Sequence, residues 1–385
     1  MEQPISRQSD FDREISRMTR EIIEGVLPRE KLYHYIGKLL CRSAKWFEEG
    51  LKDPVIQHRL HLFGDRIKDL IPKSLEFSRI VKEISEGKIK PQDIADSMIP
   101  FMISAQEKAL ETAEIETQVN LINKNQIPLS KLKSSIEELI AYLKSGKTPL
   151  MYLDMTDMNL EEAQIQELLK NCSQAKIIIF SKQKVTDAVF ASILKMKNLE
   201  KLELISCSLT LLPKEIGDLV SLKTLALSKN WLSSLPASIG NLINLKELLI
   251  DENQLMHLPK QIGQLKELEI LRIRKNKLKE IPEEISNLQN LEILGLSKNE
   301  LLQLPDTIGD LKKIKTLSLE HNWIRKLPAT FKNLSSLETL NLSENNFSYF
   351  PEVLIELSGL KELDIKGNSL PYIPSEEMKG VRILE

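Results

Sequence analysis

A repeat of 23 residues fills the second half of the chain and restricts it to one kind of architecture. The stretch LKTLALSKNWLSSLP begins at Leu222, and LKELLIDENQLMHLP follows 23 residues later. Eight such units follow one another without insertion, and they begin at Leu199, Leu222, Leu245, Leu268, Leu291, Ile314, Leu337 and Leu360. A fixed period of this length predicts a solenoid, in which each unit buries its apolar face against its neighbours.

The pattern within one unit predicts a short strand followed by a tight turn. Leu225 and Leu227 alternate with Ala226, so the leucines face inward and the alanine outward, and successive strands stack into one parallel sheet. Asn230 stands where the chain leaves the strand, and its amide can both donate to and accept from the backbone of a buried turn. We expect a structural ladder of such amides, formed by Asn230, Asn253, Asn276, Asn299, Asn322, Asn345 and Asn368. Cys207 takes this place in the first regular unit.

The repeated phrase, for example LPKEIGDLVSLKTLALSKN, resembles the 23-residue leucine-rich repeats of Ras-group and Scribble/Erbin-like proteins and of many proteins from host-associated bacteria. The resemblance covers roughly residues 150–385. It implies a leucine-rich repeat horseshoe, an α/β solenoid with a parallel β-sheet on its concave side. It also implies a concave surface that binds protein, usually without catalysis, although the family shares its scaffold more than any one function.

Three regions follow from these patterns. Apolar residues at helical spacing, such as Phe11 and Ile15, predict an all-α helical bundle domain over residues 1–148. The repeat is present but degraded over residues 149–198, which we interpret as irregular N-terminal repeats, and residues 199–385 hold the eight regular repeats. A solenoid needs its open end covered, so we expect the helical domain to serve as the N-terminal cap.

Charge, apolar runs and cysteine spacing limit the kinds of partner and the cellular locations that we expect. The net charge is −2 and neither half is basic, which argues against a nucleic-acid partner or an anionic membrane surface. No apolar run reaches the ~18 residues of a membrane span. The charged N-terminus lacks an apolar leader, and Cys41, Cys172 and Cys207 lie far apart. We therefore expect a cytoplasmic protein, or one exported without a classical signal peptide into a host cell.

Three short motifs suggest chemistry but lack what that chemistry requires. The run SGKT at residues 145–148 follows a predicted helix, and Ala141 stands where a phosphate-binding loop needs glycine, so a glycine-capped helix end is favoured. His58 and His61 have no further ligands nearby. Cys41 lacks the closely following aspartate that bacterial ubiquitin ligases with leucine-rich repeats carry. We predict no catalytic, metal or cofactor-binding residues and no cofactor.

The outward residues of the repeats remain as candidates for function. Large apolar, aromatic and arginine side chains cluster there, as in protein interfaces. Trp231 and Trp323 share one repeat position and lie four repeats apart, ~19 Å along the sheet, which suits a protein partner better than a small ligand. The candidate partner-binding residues are Trp231, Leu249, Asp251, Glu252, Ile270, Arg272, Arg274, Ile293, Glu320, His321 and Trp323. The alternative is that each tryptophan packs over its neighbours and the arginines only pair with nearby carboxylates.

Two hypotheses for function follow. The first is a non-enzymatic scaffold that binds a partner protein on the concave face. The alternative is a secreted bacterial effector whose N-terminal helical domain carries an enzymatic activity, with the repeats for targeting. We also expect the strand near Ile383 to present an uncovered edge, through which two copies could associate weakly.

Overall fold

The described part of the protein consists mainly of the repeat region. The computed structural model describes residues 111–124, 129–132, 134–146, 148–156 and 158–385. The chain divides into two compact units, Met1–Thr117 and Gln118–Glu385, and the second holds nearly all of the described residues. Most of the predicted helical domain lies outside the described residues, and so do Cys41, His58 and His61.

Parallel strands run in chain order through the second unit, and each is hydrogen-bonded to the next. In the described residues they form one eleven-stranded sheet. The strands are β1 (Tyr152–Asp154), β2 (Ile177–Ser181), β3 (Lys201–Ile205), β4 (Thr224–Ala226), β5 (Glu247–Leu249), β6 (Ile270–Arg272), β7 (Ile293–Gly295), β8 (Thr316–Ser318), β9 (Thr339–Asn341), β10 (Glu362–Asp364) and β11 (Arg382–Leu384). The predicted solenoid with a parallel sheet is therefore confirmed.

The segments that return from one strand to the next change along the chain. α-Helices are found before and between the first strands: α1 (111–123), α2 (Ile136–Lys144), α3 (Glu162–Lys170) and α4 (Asp187–Ile193). Short 3₁₀-helices lie at Leu129–Lys131, Lys214–Asp218, Ala237–Asn241, Lys260–Gln264, Glu283–Asn287, Asp306–Asp310, Ala329–Asn333 and Glu352–Leu354. Each of the last seven follows a proline that cannot continue a strand ladder, and a 23-residue repeat leaves room for only one tight turn.

Capping residues mark both ends of α2. Ser135 caps α2, since its hydroxyl accepts from the Glu138 amide at 3.2 Å and the Glu138 carboxylate accepts from the Ser135 amide at 2.9 Å. After Lys144 and Ser145, Gly146 adopts φ 70°. This left-handed glycine directly after a helix is the geometry of a capped C-terminus, which accounts for the glycine of the SGKT motif.

The core lies between the sheet and the returning turns. Leu225 and Leu227 of one repeat are fully buried, and so are Ile239 and Leu242 on its returning turn. The first seven regular repeats supply the same layers, so the core is continuous along them, whereas the eighth has exposed Glu377 and Gly380 at the two turn positions.

In seven of the eight regular repeats, an asparagine ties its own turn to the preceding repeat. The Asn276 side-chain oxygen accepts from the Leu255 amide at 3.0 Å, and its nitrogen donates to the Ile250 and Ile273 carbonyls at 3.0 and 3.3 Å. Both ends of the buried amide are thus paired, and two of these partners belong to the preceding repeat. The same connections recur at Asn230, Asn253, Asn299, Asn322, Asn345 and Asn368.

The ladder is less complete at its N-terminal end. Cys207 replaces the amide, and its Sγ lies 3.4 Å from the Ile205 carbonyl and 3.6 Å from that of Phe180. Gln183 occupies the position one repeat earlier; its nitrogen donates to the Leu160 carbonyl at 3.2 Å, but its buried Oε1 has no partner among the described residues.

The residue before each ladder position has a left-handed backbone. This column has φ between 52° and 66°, and it consists of Lys182, Ser206, Lys229, Glu252, Lys275, Lys298, His321, Glu344 and Gly367. The left-handed residue turns the chain sharply so that the following asparagine points into the core. Such a backbone is unfavourable for residues other than glycine, and the ladder hydrogen bonds offset the strain.

Candidate functional site: the concave face

Residues that point outward from the strands form columns across the concave face, because neighbouring strands are in register. The first column contains Thr224, Glu247, Ile270, Ile293 and Thr316. The second contains Ala226, Leu249, Arg272, Gly295 and Ser318. Ile270 lies directly opposite Ile293, and Leu249 directly opposite Arg272; all four side chains are half-buried. The sheet therefore brings the apolar candidates together at its middle.

Asp251 lies at the centre of a charged group on this face, which we call the arginine cluster (Asp251, Arg272 and Arg274). Its Oδ2 accepts from Nη2 of Arg272 and, at 3.1 Å, from Nη2 of Arg274. Its Oδ1 accepts from the Arg274 backbone amide at 2.8 Å. The Asp251 side chain is only 7% exposed, against 39% for Arg272 and 44% for Arg274. The carboxylate is thus enclosed by its donors, whereas both guanidinium groups still reach solvent.

Beside the arginine cluster, the neighbouring strand contributes a glycine that the arginine side chains cover. Gly295 is in register with Arg272, and a Cβ added to it would lie 3.3 Å from the Arg272 Cγ and 3.5 Å from the Arg274 Cγ. Two residues further on, Ser297 is 1% exposed, and its hydroxyl has no partner among the described residues. The stems of both arginines therefore lie directly over the buried glycine.

Two more buried polar atoms in this region lack a partner among the described residues: the Nε of Arg272 and one carboxylate oxygen, Oε2, of Glu320. Backbone hydrogen bonds place Ser297 between Arg274 and Glu320, since the Lys275 amide donates to the Ser297 carbonyl and the Lys298 amide to the Glu320 carbonyl. Buried polar groups in proteins are nearly always paired. Their concentration on adjacent strands marks this part of the face as unusual.

Both tryptophans are exposed, Trp231 by 59% and Trp323 by 47%. They belong to a larger set that we call the apolar edge, which lies just after the ladder position and has one member in seven of the eight regular repeats. Its members are Leu211, Trp231, Met256, Leu302, Trp323, Tyr349 and Tyr372. In the described residues only two other large hydrophobic side chains are as exposed, Val220 and Ile243 next to the 3₁₀ turns. Sequence reasoning found the two tryptophans and missed the other five, although all occupy variable repeat positions ten, twelve or thirteen.

The other border of the sheet, just before each strand, is occupied by lysines and glutamates. Ion pairs link Lys223 to Glu200 at 2.6 Å, Lys246 to Glu269 at 2.7 Å, and three further pairs across adjacent repeats: Lys176 to Glu200, Lys315 to Glu292 and Lys361 to Glu338. The hydrogen bonds that lysines donate lower the pKa of the Glu200 and Glu338 carboxyls, and donating to Glu269 and Glu292 raises the pKa of Lys246 and Lys315. These lysines and glutamates, which we call the charged edge, pair with one another, whereas the side chains of the apolar edge remain exposed to solvent.

Two further candidate partner-binding residues, Glu252 and His321, lie outside the strand columns. Glu252 and His321 sit in the left-handed column with φ 56° and 54°, and Glu252 pairs with Lys275 at 3.3 Å.

Burial raises the pKa of the Cys207 thiol to about 11 and that of Cys172 to about 12, which keeps both thiols protonated at neutral pH. Within the described ranges, no group of three or more His, Cys, Asp or Glu side chains could hold a metal ion. Nor does any helix there have the length and apolar character needed to cross a membrane.

Comparison with known proteins identifies the scaffold. The family model of a leucine-rich repeat region matches residues 161–275 and 260–379. A leucine-rich repeat protein of Leptospira interrogans, whose structure has been solved, is 33% identical with a TM-score of 0.58; the match covers 67% of this chain and 64% of that protein. The chain thus spans just under two thirds of that relative.

An internalin of Listeria monocytogenes has a TM-score of 0.55 at 20% identity, and the match covers 66% of this chain and 70% of the internalin. At that identity the similarity concerns the fold alone. No curated protein sequence matches the chain. The two matched regions of the family model together cover more than half of the sequence and contain nine of the eleven strands of the described residues, so the chain belongs to the leucine-rich repeat family.

Proposed function

We propose that this protein binds a partner protein on the concave face and apolar edge of its repeat region. The observation that supports this most is the group of half-buried apolar and arginine side chains on β5, β6 and β7: Leu249, Ile270, Arg272 and Ile293. These residue types supply most of the binding energy in protein interfaces, whereas solvated strand positions are normally small or polar.

The dimensions of the surface also favour a protein. The apolar edge runs through repeats that begin at Leu199 and end with Leu360, and strands stack at ~4.8 Å, so the exposed side chains extend over ~30 Å. A small molecule prefers an enclosed cavity. An extended row of separated aromatic anchors suits a broad protein surface.

Leucine-rich repeat proteins are generally non-enzymatic, and the described residues favour no reaction. The alternative, an exported effector whose helical domain is an enzyme, concerns residues 1–148, which lie mostly outside the described residues. We therefore retain the scaffold as the function to test first.

The test uses substitutions that other repeats of this chain already carry. Ile270→Thr with Ile293→Thr places threonine where Thr224, Thr316 and Thr339 stand, so the strands should be preserved. The full chain, immobilised and exposed to a lysate of its source cells, is expected to retain a specific protein that the double variant loses. A matched control, Val220→Ser with Ile243→Ser, removes two exposed apolar side chains from the other side of the repeats and should retain it.

Equal retention by the wild type and the Ile270→Thr, Ile293→Thr variant would contradict binding by the concave face. Loss in the control variant as well would show that the retained protein recognises exposed apolar area in general.

A further inference from the structure

The arginine cluster has more positive charge than its own carboxylate balances. Asp251 accepts one side-chain hydrogen bond from each of Arg272 and Arg274, whereas a guanidinium group offers five N–H donors. One negative charge therefore faces two positive charges. Lys275 in the same repeat pairs with Glu252, so the excess of positive charge belongs to the arginine cluster itself.

The cluster is accessible at its guanidinium ends. Gly295 is buried beneath the stems of both arginines, since a Cβ added to it would lie 3.3 Å from the Arg272 Cγ and 3.5 Å from the Arg274 Cγ. The side chains of Arg272 and Arg274 are 39% and 44% exposed. A ligand that brings an acceptor to this face can therefore pair with guanidinium N–H groups that Asp251 does not use.

The next strand limits the charge that such a ligand can carry. Ser297 separates Arg274 from Glu320, and at ~4.8 Å per strand the Glu320 backbone is ~10 Å from that of Arg274. The Glu320 carboxylate would repel a multiply charged anion more strongly than a single carboxylate. The planar fork of a guanidinium also matches a carboxylate in geometry.

We propose that Arg272 and Arg274 bind the side-chain carboxylate of an aspartate or glutamate on the partner protein, through guanidinium N–H groups that Asp251 does not use. Ile270 and Ile293, in the adjacent column, then contact the apolar residues that flank the acidic one. This inference rests on the proposed function and specifies the chemistry of the partner at the middle of the concave face.

The experiment measures anisotropy of a fluorescein-labelled polyglutamate peptide, amidated at its C-terminus, with the full-length protein at low salt. The glutamate peptide is expected to bind more tightly than a polyglutamine peptide of equal length. Arg272→Ser and Arg274→Ser should each weaken binding about tenfold or more, since each removes a charge-assisted hydrogen bond. Serine already stands in these columns at Ser318 and Ser297.

Three further variants separate the site from general charge. Lys266→Ser removes a positive charge beside the 3₁₀ turns and should leave binding unchanged. Glu320→Gln should strengthen binding by roughly twofold to fivefold, because it removes a negative charge that lies two strands from Arg274. Arg272→Lys keeps the positive charge but loses the planar guanidinium group with its paired donors. It is also the milder substitution to use if Arg272→Ser unfolds the protein.

Equal binding of the glutamate and glutamine peptides would overturn the proposal, and so would an equal loss in Lys266→Ser and Arg272→Ser. Tighter binding of a glutamine peptide with a free C-terminus than of the amidated glutamate peptide would assign the site to a terminal carboxylate instead. If the arginine variants still retain the partner that Ile270→Thr with Ile293→Thr loses, the proposed function stands and this inference fails.

Discussion

The Asp251 carboxylate holds Arg274 at two points, through its backbone amide at 2.8 Å and its guanidinium at 3.1 Å. One side chain thus fixes both the path of the neighbouring repeat and the direction of its arginine. The arrangement preorganises the positive groups, because an arginine that is already held loses less freedom when a ligand binds.

We expect Asp251→Ala to destabilise the protein by about 1–2 kcal/mol, since a nearly buried carboxylate with three donors is lost but both arginines can turn to water. The midpoint of urea denaturation measures this. Glu252→Ala is the matched control, because its pair with Lys275 is exposed and worth ~0.5 kcal/mol or less. Equal midpoints for the two variants would show that the enclosed carboxylate contributes no more than a surface one.

The asparagine ladder predicts a cost for interrupting it. Asn276→Ala should destabilise the repeats by roughly 1–3 kcal/mol, because the Leu255 amide and the Ile250 carbonyl lose their buried partner. Asn346→Ala changes an exposed asparagine next to a ladder position and should change the free energy of unfolding by ~0.5 kcal/mol at most. An unchanged midpoint for Asn276→Ala would contradict a stabilising role of the ladder.

Much of this fold follows from the period of the sequence alone. The alternation Leu225–Ala226–Leu227 places a strand at Thr224–Ala226 with both leucines inward, and the structure has them there, fully buried. A parallel stack in chain order then follows, because each repeat of fixed length can bury its apolar face only on its neighbours.

Side-chain arrangement on the face was less predictable. Asp251 points outward as expected, yet it is buried, because Arg272 and Arg274 close over it. Ala226 is outward and also buried, since Glu203 and Leu249 flank it in register. Strand periodicity gives the direction of a side chain, whereas its burial depends on the lengths and conformations of neighbours that lie one period away.

The left-handed column offers a test of backbone strain. Lys298→Gly relieves the unfavourable φ of 54°, but glycine also makes the unfolded chain more flexible, so folding costs more conformational entropy. Because the two effects oppose each other, we expect the free energy of unfolding to change by ~0.5 kcal/mol at most. Lys298→Val adds a β-branched side chain at the same φ and should destabilise by about 1 kcal/mol or more. Gly367 already occupies this column. Similar midpoints for the two variants would mean that the turn relaxes its φ freely.

Glycines of the 3₁₀ turns predict a contrast with Gly295. A Cβ at Gly263 would lie 2.3 Å from the Glu284 carbonyl oxygen, whereas one at Gly295 would first meet the flexible Arg272 stem at 3.3 Å. We expect Gly263→Ala to destabilise by about 1–3 kcal/mol, as overpacking does, and Gly295→Ala to be nearly neutral. Ser286 occupies the equivalent position one repeat later, so such a turn can accommodate a side chain. The cost of Gly263→Ala is therefore that of shifting the turn. Equal thermal midpoints would contradict close stacking at Gly263.

The charged edge predicts a pH dependence. Hydrogen bonds from Lys223 and then Lys176 hold the pKa of Glu200 below its ordinary value of 4.5. A carboxyl group with a lowered pKa in the folded state binds fewer protons than the unfolded chain does. Its contribution to stability is therefore complete above the ordinary pKa, and it is lost as the pH falls through the folded-state pKa.

An NMR titration of the Glu200 side chain should show this lowered pKa directly. Lys223→Gln is expected to raise it toward the ordinary value, because the largest cause of the shift is removed. Lys246→Gln serves as the control, since Lys246 pairs with Glu269 two repeats further on. If Glu200 titrates at its ordinary pKa in the wild type, or if Lys246→Gln shifts it as much as Lys223→Gln, then the pairs along this edge do not form as the geometry requires.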